Sequence, residues 1–287
     1  MARMEWMDTL RGGAVVGVVV MHAELGVVAI TDQELPLVHA VNHALGDVRM
    51  PVLVLLSGLL LPRSLAKGFA NHLRGKMRHI LWPYAVWATF DVTHALVDAA
   101  VLGRPMPWQL VGQLFYDPHT YLWFLAFLFC FHLAAGLASP VVRTLAVPVA
   151  FWAAGQITDG DAHKFVWLFA WFLVGDLAAR VLTGRMPQPV VRASAHLRIA
   201  PLATVGRSSL VYYASHLLVL VYAIPLLHLL GLRDPGLLWS TSVAVTLMSG
   251  LALARVQHRP GWRWLFGWPP RQPVPARADE REAVLVP

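Results

Sequence analysis

Charge and cysteine are what this sequence has least of. Of its 287 residues, 57% are hydrophobic and only 14% are charged, and the mean hydropathy is +0.57. A soluble domain of this size exposes a surface that needs more charge, so the composition points to a chain that crosses a membrane several times. The one cysteine, Cys130, excludes an internal disulfide and a thiolate metal cluster, and no metal site is expected. Acids are scarcer than bases, 16 against 23, which leaves a formal charge of +7. That excess follows the two sides of the expected membrane instead of forming one basic face, so nucleic acid is not an expected partner. No internal repeat is visible, and with it goes the inverted-repeat signature common in transporters.

What is present is a series of apolar runs. They predict an all-α, polytopic transmembrane bundle of about eight spans, over residues 10–30, 50–66, 80–102, 121–138, 141–157, 165–182, 202–230 and 237–256. The first run imitates a secretory signal, but Glu5 and Asp8 spoil its leading region and the apolar runs continue to the far end. With the N-terminus in the cytoplasm, all of the 23 Lys and Arg except Arg49, Arg104, Lys164 and Arg233 fall inside, which orients the chain with both termini cytoplasmic. The membrane domain is expected to occupy residues 1–270. A Pro- and charge-rich stretch, 271–287, is expected to be a disordered cytoplasmic tail.

The first span carries an arginine and a histidine eleven residues apart. At about 100° per residue, Arg11 and His22 lie within roughly 20° of each other on one helix face, about 16 Å apart along the axis. Asp8 stands one turn before Arg11, and Val15 and Val18 fill the face between. Two readings are open: a snorkelling arginine with a histidine bonded to a neighbouring helix, or a functional stripe. Glu24, two positions on, points about 200° away and does not orient His22 directly.

Between the second and third spans lies PRSLAKGFANHLRGKMRHILWPY, the densest basic segment. Phe69, Leu73 and Ile80 keep helical spacing among Arg74, Lys76 and Arg78, which predicts a helix lying in the inner interface. Anionic lipid and a soluble polyanion are both suitable partners for it. Further ionisable groups sit inside the spans: Asp91, His94 and Asp98 in the third, His132 in the fourth, Asp176 in the sixth, and Arg207, Ser209, Tyr213 and His216 in the seventh. Each is costly in lipid, and together they predict a polar cavity.

These residues resemble the acyltransferase 3 family, integral-membrane acyltransferases that decorate bacterial envelope sugars and some secondary metabolites. The likeness rests on Arg11 and His22 within DTLRGGAVVGVVVMH, on Pro51, Ser57 and Gly58 of RMPVLVLLSGLLL, and on Arg74, Lys76, Arg78 and Pro83. It extends to Trp123 and Phe124 of HTYLWFL and to Gly206, Arg207, Ser209, Tyr213 and His216 of VGRSSLVYYASHLLVL. Members usually show ten spans; here residues 183–201 stand where a helix pair is usual.

The resemblance implies a multi-pass protein of the inner (plasma) membrane with no tightly bound cofactor. Its donor would be acetyl-CoA or another acyl-CoA, and its acceptor a hydroxyl of an envelope carbohydrate, glycolipid or small molecule. Arg11, Arg74, Lys76 and Arg78 are the expected donor contacts, since clustered bases suit phosphates. His22 is the expected general base, or alternatively a covalent acyl carrier, with Asp91, Tyr213 or His216 as its partner. Asp8, Ser57, Trp123, Arg207 and Ser209 are expected to support the site. A proton-coupled transporter and an inactive relative are the rival classes.

Overall fold

The computed structural model describes residues 5–116, 118, 121–182 and 199–268. The expected tail at 271–287 and most of the 183–201 segment lie outside the described residues. Among the described residues every regular element is helical.

The chain runs through α1 (Glu5–Thr31), α2 (Pro36–Gly58), a short α3 (Leu61–Leu65) and α4 (Phe69–Lys76). A π-turn (Met77–Leu81) leads into α5 (Trp82–Val101), followed by α6 (Gln109–Tyr116), α7 (Trp123–Leu137), α8 (Pro140–Gln156) and α9 (Gly160–Leu182). The last elements are α10 (Ala200–Arg207), α11 (Ser209–Leu229), α12 (Pro235–Val256) and a 3-10 turn (Arg263–Leu265).

The starts follow from local chemistry. Proline takes an early position in α2, α8 and α12, where its missing N–H is no loss. Ser139 and Asp234 cap α8 and α12 by accepting from Val142 N and Leu237 N. Five stretches, Glu5–Thr31, Pro36–Leu65, Gly160–Leu182, Ser209–Leu229 and Pro235–Val256, are long and apolar enough to cross a membrane. The other three expected spans are the helices α5, α7 and α8. At about 1.5 Å per residue the 15 residues of α7 reach about 22 Å, short of a hydrocarbon core of about 30 Å. Its N-terminal turn, at Tyr121 and Leu122, is instead packed within the bundle, with Leu122 fully buried. Non-helical backbone at that depth is tolerated where protein surrounds it.

The centre of the bundle is α1, whose buried stripe includes Gly12, Val15, Val18, Val19, Ala23 and Val27. Two pairs of glycines set close crossings. A Cβ on Gly12 would run into Leu202 O, and one on Gly206 into Asp8 O, so α1 and α10 meet backbone to backbone. Gly58 and Gly175 do the same for α2 and α9, against Phe172 O and Leu55 O. Thus Gly58 and Gly206, both part of the patterns that carry the resemblance, are packing positions. Asp8 is buried under that crossing.

The second helix differs from expectation. It starts at Pro36, fourteen residues before the expected span, and Arg49, expected in an external connection, is buried within it. Arg49 donates to Gly17 O (2.9 Å), to Asn42 O (2.9 Å) and to Asn42 Oδ1 (3.1 Å). Asn42 in turn donates to Glu24 Oε2, and His39 meets Glu24 Oε1 at 3.1 Å. Glu24 therefore faces α2, away from His22, as its helical angle requires. Asp176 also differs. It accepts from Arg143 and Arg180, each at 3.0 Å, as a clasp between α8 and α9, and does not line the two joined cavities described below.

Candidate functional site

Two joined cavities open at the end of the bundle where the basic residues gather. The outer one, about 370 Å³, is lined by Arg11, His79, Arg207, His258 and Arg263, with Ser208, Ser209, Gln257 and Trp268 among its other walls. Among the described residues that line it there is no carboxylate. The inner one, about 260 Å³, shares Arg11, His79, Ser209 and Leu210 and continues to Val15, Leu53, Ser57, Phe124 and Tyr213. The N-terminus of α11, opening at Ser209 after the break at Ser208, faces this space and adds the positive end of its dipole. A concave site lined by cations, a helix N-terminus and an apolar inner wall suits an anion attached to an apolar or extended arm.

The basic segment divides between two faces. Positions 74 and 78 are four apart and share a face, while 76 lies about 200° from 74. Arg74 and Arg78 line a separate groove of about 890 Å³ together with Leu73, Met77 and Trp268. Lys76 turns the other way. Burial, and then the charges of Arg11 and Lys67, push its amine down to about 8. His79, in the π-turn, is likewise pushed down by burial and by Arg78 and Lys76. This concentration of like charge stabilises an anion and disfavours an empty protonated site.

Deeper in the bundle two histidines meet. His22 Nδ1 lies 3.0 Å from Val18 O, and because a carbonyl can only accept, the proton sits on Nδ1. By the same logic His216 Nδ1 donates to Tyr213 O at 2.7 Å, so in the neutral ring His216 Nε2 holds a lone pair. That nitrogen lies 3.4 Å from His22 Nδ1, with ring centroids 4.9 Å apart. The remaining nitrogen of His22, Nε2, is left as the basic one. A proton taken there makes an imidazolium whose Nδ1–H already points at two acceptors, Val18 O and His216 Nε2.

Tyr121 completes the surroundings. Its ring stands edge-on to His216 at 5.3 Å, its hydroxyl donates to Ala214 O (2.6 Å), and its carbonyl accepts from Tyr213 Oη (2.5 Å). Of the three partners open to His22, the structure brings His216 to it. The inner cavity ends at Val15 and Tyr213, one helical turn before His216 and two before His22.

Residues 4–157, more than half of the chain, match the acyltransferase 3 family, described as an acyltransferase domain. The chain belongs to that family. No curated protein and no solved structure matches it.

This multi-pass membrane acyltransferase thus has Arg11, His22, Ser57, the basic segment and Trp123 inside the matched region, and Arg207, Ser209, Tyr213 and His216 beyond it. The fold joins the two groups, since α11 lies against α1. Trp123 stands apart from the histidines, in a groove of about 320 Å³ with Tyr116, Phe127, Asp161, Lys164 and Phe165 on the acidic side. Lys164 lies over its ring at 4.9 Å and is paired with Asp161. Ser57 lines the inner cavity and meets His132 Nε2 at 3.0 Å; His72 then ties His132 O to Ser64.

Several residues around the histidine pair, the cavities and the α1–α2 contact gave little or no sign in the sequence of their place. Tyr121 carried no signal beyond its place two residues before Trp123. Asn42 and Arg49 were hidden because their polarity depressed the hydropathy of the segment that contains them. His258, Arg263 and Trp268 lie beyond the last expected span, where composition alone gives no sign that they line a cavity.

Proposed function

We propose that this acyltransferase takes its acyl group, acetyl in the simplest case, from a CoA thioester on the cytoplasmic side of the inner membrane. It transfers that group to a hydroxyl of an envelope carbohydrate, a glycolipid or a small molecule. The observation that carries the reading is the single stripe on α1, which has Arg11 in a cation-lined cavity at one end and His22, backed by His216, at the other. Positive-inside orientation makes the cation-lined end cytoplasmic, the side where CoA is available.

In this reading the CoA phosphates are held by Arg11, Lys76 and the Arg207–Ser209 turn, and the thioester arm follows the inner cavity past Ser57. The gap from Val15 to His22 means that Val18 and Tyr213 must give way as the arm extends. The acceptor hydroxyl approaches from the acidic side. There Trp123 and Tyr116 offer flat apolar faces beside a carboxylate, a combination suited to a ring bearing hydroxyls. His22 Nε2 takes the hydroxyl proton as the oxygen attacks the thioester carbonyl, the C–S bond breaks, and the thiolate recovers the proton. Purified protein supplied with acetyl-CoA and a panel of hydroxyl compounds should release free thiol and give one product heavier by an acetyl group. Thiol release with no acceptor dependence, or none at all, would count against the reading.

Lys76 gives the donor step a pH dependence. Its amine is held down to about 8 in the free protein, and a polyanion alongside removes part of the like-charge repulsion and raises it. Binding therefore takes up a proton. Donor affinity is full below about pH 8 and falls as pH rises through that value, so the donor KM should climb there. In Lys76→Gln this climb should be absent, and the KM should be raised already at neutral pH.

A further inference from the structure

We infer that the turn from Gly261 to Trp268 is the clamp for the nucleotide end of the donor, with the adenine laid on Trp268 and the phosphates between the bases on its two sides. The inference rests on the CoA reading above. After α12 the chain reverses at Gly261, where φ is +89°, and returns along the π-turn and α5. Three hydrogen bonds fix it there: Trp82 Nε1 donates to Trp264 O (2.6 Å), Trp87 Nε1 to Leu265 O (2.9 Å), and Trp268 N to Arg78 O (3.1 Å). Leu265 and Phe266 are buried, while Trp268 stays 53% exposed and packs its ring against Trp82 at a centroid distance of 4.5 Å.

Trp268 is the one residue among those described that borders both basic spaces, the groove of Arg74 and Arg78 and the cavity of Arg11, Arg207 and Arg263. A flat ring flanked by guanidinium groups offers what a phosphorylated nucleotide needs, a stacking face and charge-assisted donors. A lipid-facing aromatic belt would account for Trp262 and Trp264, but it gives no reason for Arg263, Gly267 and Trp268 to form cavity wall beside His79.

The test compares acetyl-CoA with acetyl-pantetheine, the same thioester without the phosphorylated nucleotide. In Trp268→Ala the preference for acetyl-CoA, taken as the ratio of the two kcat/KM values, should fall about five- to a hundredfold, the range that loss of one base–aromatic stack gives. Trp268→Phe should keep most of the preference, and Arg263→Gln should reduce it. A second arm measures binding of adenosine 3′,5′-bisphosphate to the purified protein, which should be saturable and weakened in Trp268→Ala and Arg263→Gln. An unchanged ratio, or nucleotide binding that is absent from the wild type or equal in the variants, overturns the clamp. If neither thioester supports transfer, the donor reading itself fails, and the nucleotide-binding arm still decides the clamp.

Discussion

Acyl transfer is expected to fall below detection in His22→Ala while the protein still inserts and folds. A general base contributes about 10²- to 10⁴-fold, and a covalent carrier more, so no residual turnover near the wild-type rate is compatible with the role assigned to Nε2. The neighbouring ring behaves differently. In the proposed mechanism His216 is a positioning residue, since it touches His22 Nδ1 at 3.4 Å and not the reacting atoms. Loss of one such hydrogen bond is worth about 1 kcal/mol, so His216→Ala should retain activity at roughly a fifth to a tenth of wild type. It should also move the limb of the pH–rate profile that His22 sets, which a purely structural role would leave in place. Size-exclusion profiles and thermal midpoints must accompany both variants. A well-folded His22→Ala enzyme at near wild-type rate, or a dead His216→Ala beside a live His22→Ala, would reverse the assignment.

The second large effect is on stability. Arg49→Ala removes a buried guanidinium that ties Gly17 O to Asn42 and leaves Asn42 and Glu24 without their organising charge. Breaking a buried charged network from one side costs about 3–5 kcal/mol, a large share of the stability of a typical domain. The expected result is a strongly lowered thermal midpoint in detergent and poor recovery of folded protein. Glu24→Gln combined with Arg49→Ala should cost less than the two single changes added together, because the second change removes a charge that the first left unpaired. Additive losses, or an unchanged midpoint in Arg49→Ala, would show that the clasp does not hold α1 on α2.

How far the sequence led depends on the range of each signal. The Arg11–His22 stripe was legible because helical angle is local arithmetic, and α1 is one unbroken helix. The same arithmetic separates Lys76 from Arg74 and Arg78. The start of α2 was not legible, since His39, Asn42, His43, Asp47 and Arg49 make residues 36–49 read as an external connection. Of these, His39, Asn42 and Arg49 find their partners on α1 and on one another, and no property of either helix alone shows that. Asp176 and His132 looked like members of one polar cavity. Their partners, Arg143 and Arg180 for the one and Ser57 for the other, lie on other helices or a turn away, and pairing at such separations is set by tertiary packing. The part of the C-terminal turn in the cavity wall was illegible for a different reason: its composition, Trp262, Trp264 and Trp268 among arginines, suits a membrane interface, and which of these residues line a cavity is set by how the turn packs on α5 and the π-turn.

The central claim is that a thioester entering at Arg11 brings its acyl carbon to His22. An electrophilic donor, bromoacetyl-CoA, tests it most directly, because Nε2 placed beside the acyl group displaces bromide from the adjoining CH2 and leaves a stable alkyl-imidazole that still carries the thioester carbonyl. After incubation with the purified protein, peptide mass spectrometry should find the adduct on His22, suppressed by excess CoA and lost in Arg11→Ala. Alkylation confined to Cys130, which is exposed, or to Ser57, or an adduct on His22 that excess CoA does not suppress, would contradict the account.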